Sequence, residues 1–213
     1  MNNSNQKEYW NKVSPTKEFT TALDLNLIPD FIKKDSLVVD YGCGYGRTLN
    51  ELHAQGYKNL LGFDFASDMI ERGKSEFPFL DLRTSKDNRI ECESGTVNMV
   101  ILFAVLTCIT EDEKQDALIS EIKRVLKPGG IIYINDFLVN SDERNTNRYN
   151  QFVEKYGTYG VFELPEGAVL RHHEESRISQ MTKDFVMETY KTIQFKTMNG
   201  HISNGFVFIG RKK

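Results

Sequence analysis

Cysteine is scarce in this 213-residue sequence, and its three occurrences, Cys43, Cys92 and Cys108, are odd in number and widely spaced. That excludes a disulfide framework and a cysteine zinc site, and it fits reduced thiols in a cytoplasmic protein. No sign of charge dominates: 27 basic and 30 acidic side chains leave a net −3, so the electrostatic footprint of a nucleic-acid binder is missing. The apolar run from Val97 to Thr110 is shorter than the roughly 20 residues that span a bilayer, and Asn98 and Thr107 interrupt it. Residues 1–7 lack a basic region followed by an apolar stretch, so they do not read as a secretory leader. Internal repeats and low-complexity tracts are also absent. What is present, 39% apolar and 27% charged residues, is the composition of one ordinary soluble domain.

Periodicity supplies the order of elements. Phe19 to Lys34 carries Leu23, Leu27, Ile28, Phe31 and Ile32 at roughly helical spacing, with Pro29 opening a fresh turn. Ser36-Leu-Val-Val-Asp40 is a short β-branched run ending on an acid, followed by Gly42, Gly44 and Gly46 and then by a helix with Leu49 and Leu52 on one face, ending at Gly56. Asn59 to Asp64 repeats the apolar run that closes on an acid, and Ser67 offers an N-cap to the next helix. Phe79–Thr84 and the run beginning at Val97 are further strands, and Thr110 with Glu113 forms a capping-box pattern ahead of Leu118, Ile119, Ile122, Val125 and Leu126. Pro128-Gly129-Gly130 stops that helix, and Ile131–Ile134 is the next strand. Tyr190–Met198 and Gly205–Gly210, joined through Asn199-Gly200, leave no room for a helix and read as an antiparallel hairpin. The fold class is therefore α/β: an open, mostly parallel seven-stranded sheet with helices on both faces and a C-terminal antiparallel hairpin.

A parallel strand that ends in glycines and enters a helix exposes backbone N–H groups and lets a ligand approach closely. Here the spacing is Asp40-x-Gly42-x-Gly44-x-Gly46, without the G-x-G-x-x-G of dinucleotide dehydrogenases, and a second acid, Asp64, ends the next strand. These residues resemble the class I S-adenosylmethionine-dependent methyltransferase family. Val38 to Arg47 looks like its first motif, Gly62-Phe-Asp64 through Met69-Ile70 like its acidic second motif, and Glu121 to Gly130 like its late helix-turn motif.

The resemblance implies S-adenosylmethionine as cofactor and S-adenosylhomocysteine as product. Gly42 and Gly44 would bring backbone against the methionine part, with Asp40 near its ammonium and Gly46 and Arg47 completing the motif. Asp64 would hold the ribose, Phe65 and Met69 would flank the adenine, and Phe103 would end the fourth strand beside the reacting centre. The family often places an acid after its third strand, where Lys86 or Asp87 stands here. One methyltransferase domain is expected over 1–213: an N-terminal extension (1–35), a cofactor-binding core (36–136), a substrate-side insertion (137–175), and a last helix with the terminal hairpin (176–213).

Ligands of such sheets lie beyond the carboxyl ends of the strands, so segments leaving those ends are candidate substrate walls. The insertion is too long for a routine crossover and carries Tyr149, Phe152, Tyr156, Tyr159 and Phe162, a small hairpin around Glu166-Gly167, then Arg171 and His172. Its Arg144, Arg148 and Arg171 could meet a carboxylate or phosphate, or be solvated surface charge. Tyr9, Trp10 and Phe19 form a lid candidate, and the last hairpin brings His201 to the rim. Methyl transfer is an in-line displacement that needs alignment more than acid–base help, although a hydroxyl nucleophile would need a base, for which His172 and His201 are the candidates. His172 and His173 do not read as a metal pair, because neighbouring strand residues face opposite ways, and no metal is expected. The expected acceptor is a small molecule or short peptide, with neither nucleic acid nor membrane as partner. The alternatives are a non-catalytic S-adenosylmethionine-binding module and, less well matched, an NAD-type oxidoreductase.

Overall fold

Alternation along the strands divides the apolar residues into two layers. Val38, Met99, Ile101, Ile131, Tyr133, Val207 and Ile209 pack in one cluster, whereas Val39, Val100, Leu102, Ile132, Ile134, Phe206 and Phe208 pack in another. A period of two with both sets buried is the pattern of a sheet covered on both faces. In the computed structural model, which describes residues 3–19, 21–86, 89–196 and 200–213 (backbone alone for 3–5), that sheet has seven strands.

They are β1 (Leu37–Tyr41), β2 (Asn59–Asp64), β3 (Asp81–Thr84), β4 (Val97–Phe103), β5 (Leu126–Phe137) and, after a separate two-stranded hairpin of β6 (Val161–Glu163) and β7 (Val169–Arg171), β8 (Phe185–Lys196) and β9 (Ile202–Lys212). The order is β3-β2-β1-β4-β5-β9-β8, parallel from β3 to β5, with β9 antiparallel to both β5 and β8. Strand order reverses between β1 and β4, so the crevice beyond their carboxyl ends is where an open α/β sheet receives a ligand. The helices are α1 (Asn3–Val13), α2 (Arg47–Ala54), α3 (Ser67–Glu76), α4 (Asp112–Val125), α5 (Glu143–Tyr156) and α6 (Glu175–Thr182). Leu49, Leu52 and Ile70 of α2 and α3 bury against the first cluster; Leu118, Ile119, Ile122, Ile178 and Met181 of α4 and α6 bury against the second. No helix among the described residues is long and apolar enough to cross a membrane.

Four local expectations are corrected, the first at the helix stop: α4 ends at Val125, so Leu126 and Pro128-Gly129-Gly130, expected as the end and stop of that helix, already belong to β5. The helix expected over 19–34 is a single 3-10 turn at Leu25–Leu27. Pro29 has no N–H and drives Ile28 into an extended conformation (φ −74°, ψ 120°), so Leu23, Ile28 and Ile32 reach the core as separate anchors. The N-terminal extension instead holds a regular helix, α1, whose Trp10 and Val13 pack with Phe19 against Tyr45, Ala66 and Met69. Ser67 is the first helical residue of α3 rather than its cap, because Asp64 Oδ1 already accepts the Ala66 N–H at 2.8 Å. The Thr110–Glu113 box does not form either: α4 is preceded by Glu111 as N-cap, the Thr110 hydroxyl donates to Glu111, and the Thr110 carbonyl accepts from Arg171.

The 137–175 segment leaves the carboxyl end of β5 as α5, capped by Asp142 at the Asn145 N–H (3.1 Å) and closed by Gly157 in the left-handed region, before the β6–β7 hairpin returns. It stands over the same end of the sheet as the glycine turn.

Candidate active site

The turn after β1 is built by three glycines with positive φ: Gly42 (79°), Gly44 (55°) and Gly46 (90°). A Cβ on Gly42 would lie 2.5 Å from Val105 Cγ2, and one on Gly44 would lie 3.0 Å from the Phe19 ring. Gly42 and Cys43 donate their N–H groups to the Phe63 carbonyl, at 2.7 and 3.0 Å, which folds the turn back on β2.

Two carboxyls flank this turn. Asp64 accepts the Gly44 N–H at 2.9 Å and the Ala66 N–H at 2.8 Å, and burial pushes it up to about 6 against those two donors. Asp40 is 1% exposed and its Oδ1 has no hydrogen-bond partner among the described residues. Burial pushes its carboxyl up to about 7, against the pull of Arg47 and with added repulsion from Asp64 and Glu51. A buried carboxylate oxygen without a donor is costly unless a ligand cation or N–H group supplies the partner.

These groups open into a cavity of about 270 Å³ lined by residues from every segment that leaves the carboxyl end of the sheet. Its acidic end is Asp40 and Asp64, with Phe65, Met69 and Arg47 beside them. Its far wall comes from α1 and the segment after it (Tyr9, Trp10, Phe19), from the insertion (Arg144, Arg148, Phe162, Leu170, His172) and from the β8–β9 hairpin (Phe195, Lys196, His201). The floor is the end of β4: Phe103, then Ala104, a non-glycine residue held at φ 55° with its N–H on the Asn135 carbonyl, then Thr107. Backbone strain of that kind concentrates at functional sites. Arg47 lies 5.6 Å from the centroid of the Phe103 ring and pairs with Glu51, leaving its Nε buried and unpartnered among the described residues.

Comparisons with known proteins agree with this architecture. The family model described as "Methyltransferase domain" matches residues 38–130, from β1 to the start of β5's regular pairing. The human tRNA N(3)-cytidine methyltransferase METTL2B is 27% identical over 150 residues, and the mouse eEF1A lysine and N-terminal methyltransferase is 25% identical over 140. These matches cover 63% and 58% of this chain, but only 39% and 20% of those proteins. A solved S-adenosylmethionine-dependent methyltransferase from Methanosarcina mazei superimposes with a TM-score of 0.84, covering 90% of this chain and 99% of that one at 21% identity. Residues 38–130 are thus similar to a methyltransferase domain, on the fold of a solved S-adenosylmethionine-dependent methyltransferase.

The cavity gathers most of the residues singled out in the sequence: Asp40, Gly42, Gly44, Arg47, Asp64, Phe65, Met69, Phe103, Tyr9, Trp10, Phe19, His172 and His201 all line it. The family's cofactor suits what is present. Its ammonium matches the unpartnered Asp40 oxygen, its ribose hydroxyls match the acceptor capacity left on Asp64, and Phe65 and Met69 give the adenine an apolar bed. Asp87 lies outside the described residues.

Three expected residues are placed elsewhere. Gly46 begins α2, and its Cα faces Leu80 and Leu82 rather than the cavity, so its role is the turn itself. Arg171 is 5% exposed, ion-paired to Asp112 and bonded to the Thr110 carbonyl, so it ties the β6–β7 hairpin to α4 and is no part of the lining. Tyr149 is fully buried behind the wall, where it holds His172.

That contact fixes what His172 can do. The Tyr149 oxygen accepts the Asn140 N–H at 3.3 Å and lies 2.6 Å from His172 Nδ1. The Asn140 amide nitrogen, which donates to the Leu138 carbonyl and Ser203 Oγ at 3.1 Å each, lies 3.2 Å from the same Nδ1, so the groups that face Nδ1 are hydrogen-bond donors. The Tyr149 hydroxyl therefore donates to Nδ1, and the network assigns the proton of the neutral ring to Nε2. Burial, followed by the charges of Arg148, His173 and Arg144, holds this imidazole well below its usual range. In that tautomer His172 offers the cavity an N–H donor. His173 faces the other way, between Gln115 Nε2 (2.8 Å) and the Phe137 carbonyl (3.2 Å).

Sequence reasoning missed Thr107, Phe137, Phe195, Lys196 and Ser203 as lining residues. Only Thr107 left a trace in the sequence, as a polar break in an apolar run just beyond a strand.

Proposed function

We propose that this chain transfers a methyl group from S-adenosylmethionine to a small-molecule acceptor seated in the aromatic half of the cavity. The observation that carries this reading is the enclosure of that half: Trp10 and Phe19 on one side and Phe162 and Leu170 on the other wall a space of small-molecule dimensions continuous with the acidic glycine turn. The net charge of −3 supports a small acceptor over the RNA that the human relative's name specifies. The free thiols of Cys43, Cys92 and Cys108 support a reducing cytoplasmic setting.

Bound at the acidic end, the cofactor supplies a methyl group on a cationic sulfur, a leaving group that needs no protonation. Asp40 and the Gly42–Gly44 backbone hold its amino-acid portion, and Asp64 and Met69 fix the nucleoside. Phe103, Phe19 and Trp10 exclude water and offer ring faces to positive charge, worth about 0.5–2 kcal/mol each where desolvated. Alignment of the acceptor atom by these walls can supply about 7–11 kcal/mol of the barrier reduction. His201, at the rim, is the candidate for taking a proton from a hydroxyl acceptor.

Calorimetry with S-adenosylmethionine, S-adenosylhomocysteine and NADH on the wild type and on Asp64→Ala tests the reading. Micromolar binding of the adenosyl compounds, lost in the variant, is expected, and binding of NADH alone overturns it. A transfer assay from labelled S-adenosylmethionine into small-molecule, tRNA and protein fractions then identifies the acceptor class; label confined to tRNA or protein refutes the small acceptor.

A further inference from the structure

Arg148 is a guanidinium of the insertion that reaches the cavity and enters no ion pair among the described residues. Its Cζ sits 3.5 Å from the Phe162 ring centroid and 5.5 Å from that of Tyr149, and its Nε is buried without a hydrogen-bond partner. Arg144, one helical turn earlier on α5, lines the same cavity and repels it. Like charges at i,i+4 destabilise a helix, and desolvating one of them adds to the cost.

The same region shows how this chain treats an arginine that only holds structure. Arg171 and Arg177, more deeply buried still, are both ion-paired: Arg171 by Asp112 and the Thr110 carbonyl, with its Nε unpartnered among the described residues, and Arg177 by Asp112, Asp116 and Gln115. Next to Arg148 stands His172, 5% exposed, with Nδ1 closed by Tyr149 and Nε2–H without a partner among the described residues. Two cations and a neutral donor thus face a cavity whose lining carboxylates are Asp40 and Asp64, on β1 and β2, and Glu166 of the β6–β7 turn, with Lys196 of β8 adding a further cation to the wall.

We propose that the insertion forms an oxyanion receptor: the small acceptor carries a carboxylate or phosphate that Arg148 and Arg144 bind, with His172 Nε2–H as the neutral third donor. This rests on the small-acceptor reading above and narrows it to a class. A planar guanidinium with free N–H groups matches either oxyanion in two-point geometry, and the Phe162 face keeps it oriented. Asp40 and Asp64 then serve the cationic sulfur end, and Arg144, Arg148 and Lys196 outnumber Glu166 as partners for the acceptor's anionic group.

The test uses the full chain saturated with S-adenosylhomocysteine and four probes: benzoate, phenyl phosphate, their neutral counterpart benzamide, and an RNA hairpin. The first two should bind about tenfold or more tighter than benzamide, and their ratio distinguishes carboxylate from phosphate. Arg148→Gln should erase that preference, Arg148→Lys should restore part of it, and Arg144→Gln, an exposed change that does not threaten folding, should weaken it about threefold. Equal binding of benzamide and the two anions, or a preference unchanged in both glutamine variants, overturns the receptor. Displacement of the anions by the RNA hairpin at micromolar concentration overturns it in favour of a macromolecular acceptor. S-adenosylhomocysteine affinity is read separately, so failure of the cofactor reading, with no nucleoside binding but a retained anion preference, is distinct from failure of the receptor.

Discussion

The Tyr149 hydroxyl lies 2.6 Å from His172 Nδ1 and donates to it, so a fully buried phenol sets the tautomer of a histidine at the cavity wall. Imidazole nitrogen NMR should show the Nε2–H form of His172 alone between about pH 5 and 8, because burial and the neighbouring cations hold its pKa well below the usual range. Tyr149→Phe should give mixed tautomers and lower stability by about 1–3 kcal/mol in urea unfolding, since the Asn140 N–H loses its acceptor as well. An Nδ1–H signature in the wild type would refute the assignment.

Asp40 makes the ligand-free protein sensitive to pH. Its folded carboxyl is raised to about 7, above an unfolded value near 3.8, so the folded state holds the extra proton between these limits. Stability from this group is therefore greatest below about pH 4 and declines as pH rises through about 7. The wild type minus Asp40→Asn difference in unfolding free energy should show that slope. Binding of a ligand ammonium requires the ionised form, so S-adenosylhomocysteine affinity should fall about tenfold between about pH 8 and pH 6 in the wild type. A flat profile removes Asp40 from the ammonium site.

Gly42→Ala should separate turn geometry from composition. At φ 79° an alanine costs about 1–2 kcal/mol, and its Cβ would meet Val105 Cγ2 at 2.5 Å. Nucleoside affinity should drop at least about tenfold, with partial recovery in Gly42→Ala/Val105→Ala. Recovery to full affinity by Val105→Ala assigns the whole effect to the contact, and none assigns it to φ.

Trp10 is the single tryptophan of the chain and lines the cavity from α1. Saturation with S-adenosylhomocysteine should shift or quench its emission along the calorimetric isotherm. Calorimetric binding with unchanged emission would show that α1 takes no part in enclosing the ligand.

Asp112 is half-exposed yet holds two buried guanidiniums, Arg171 and Arg177. Asp112→Asn should destabilise by about 1–3 kcal/mol, below the cost of breaking a fully buried pair because of its solvent contact. Its effect on the anion preference should be small, in contrast to Arg148→Gln. A selective loss of anion binding in Asp112→Asn would return Arg171 to the acceptor site.

The β-branched runs that close on Asp40 and Asp64 and the Gly42-x-Gly44 turn were legible in the sequence because each is local: strand period and turn conformation depend on residues within a few positions. The sheet and its terminal hairpin followed from that order. Tertiary structure alone decided the fates of the three arginines 144, 148 and 171. They share charge and segment in sequence, yet Arg171 meets the acid of a helix about sixty residues earlier, while Arg148 meets an aromatic face and enters no ion pair among the described residues. It also set the tautomer of His172, through a tyrosine 23 residues away. Long-range pairing of charges and protons depends on which side chains the topology brings within hydrogen-bond distance, and no local pattern in the chain encodes that distance.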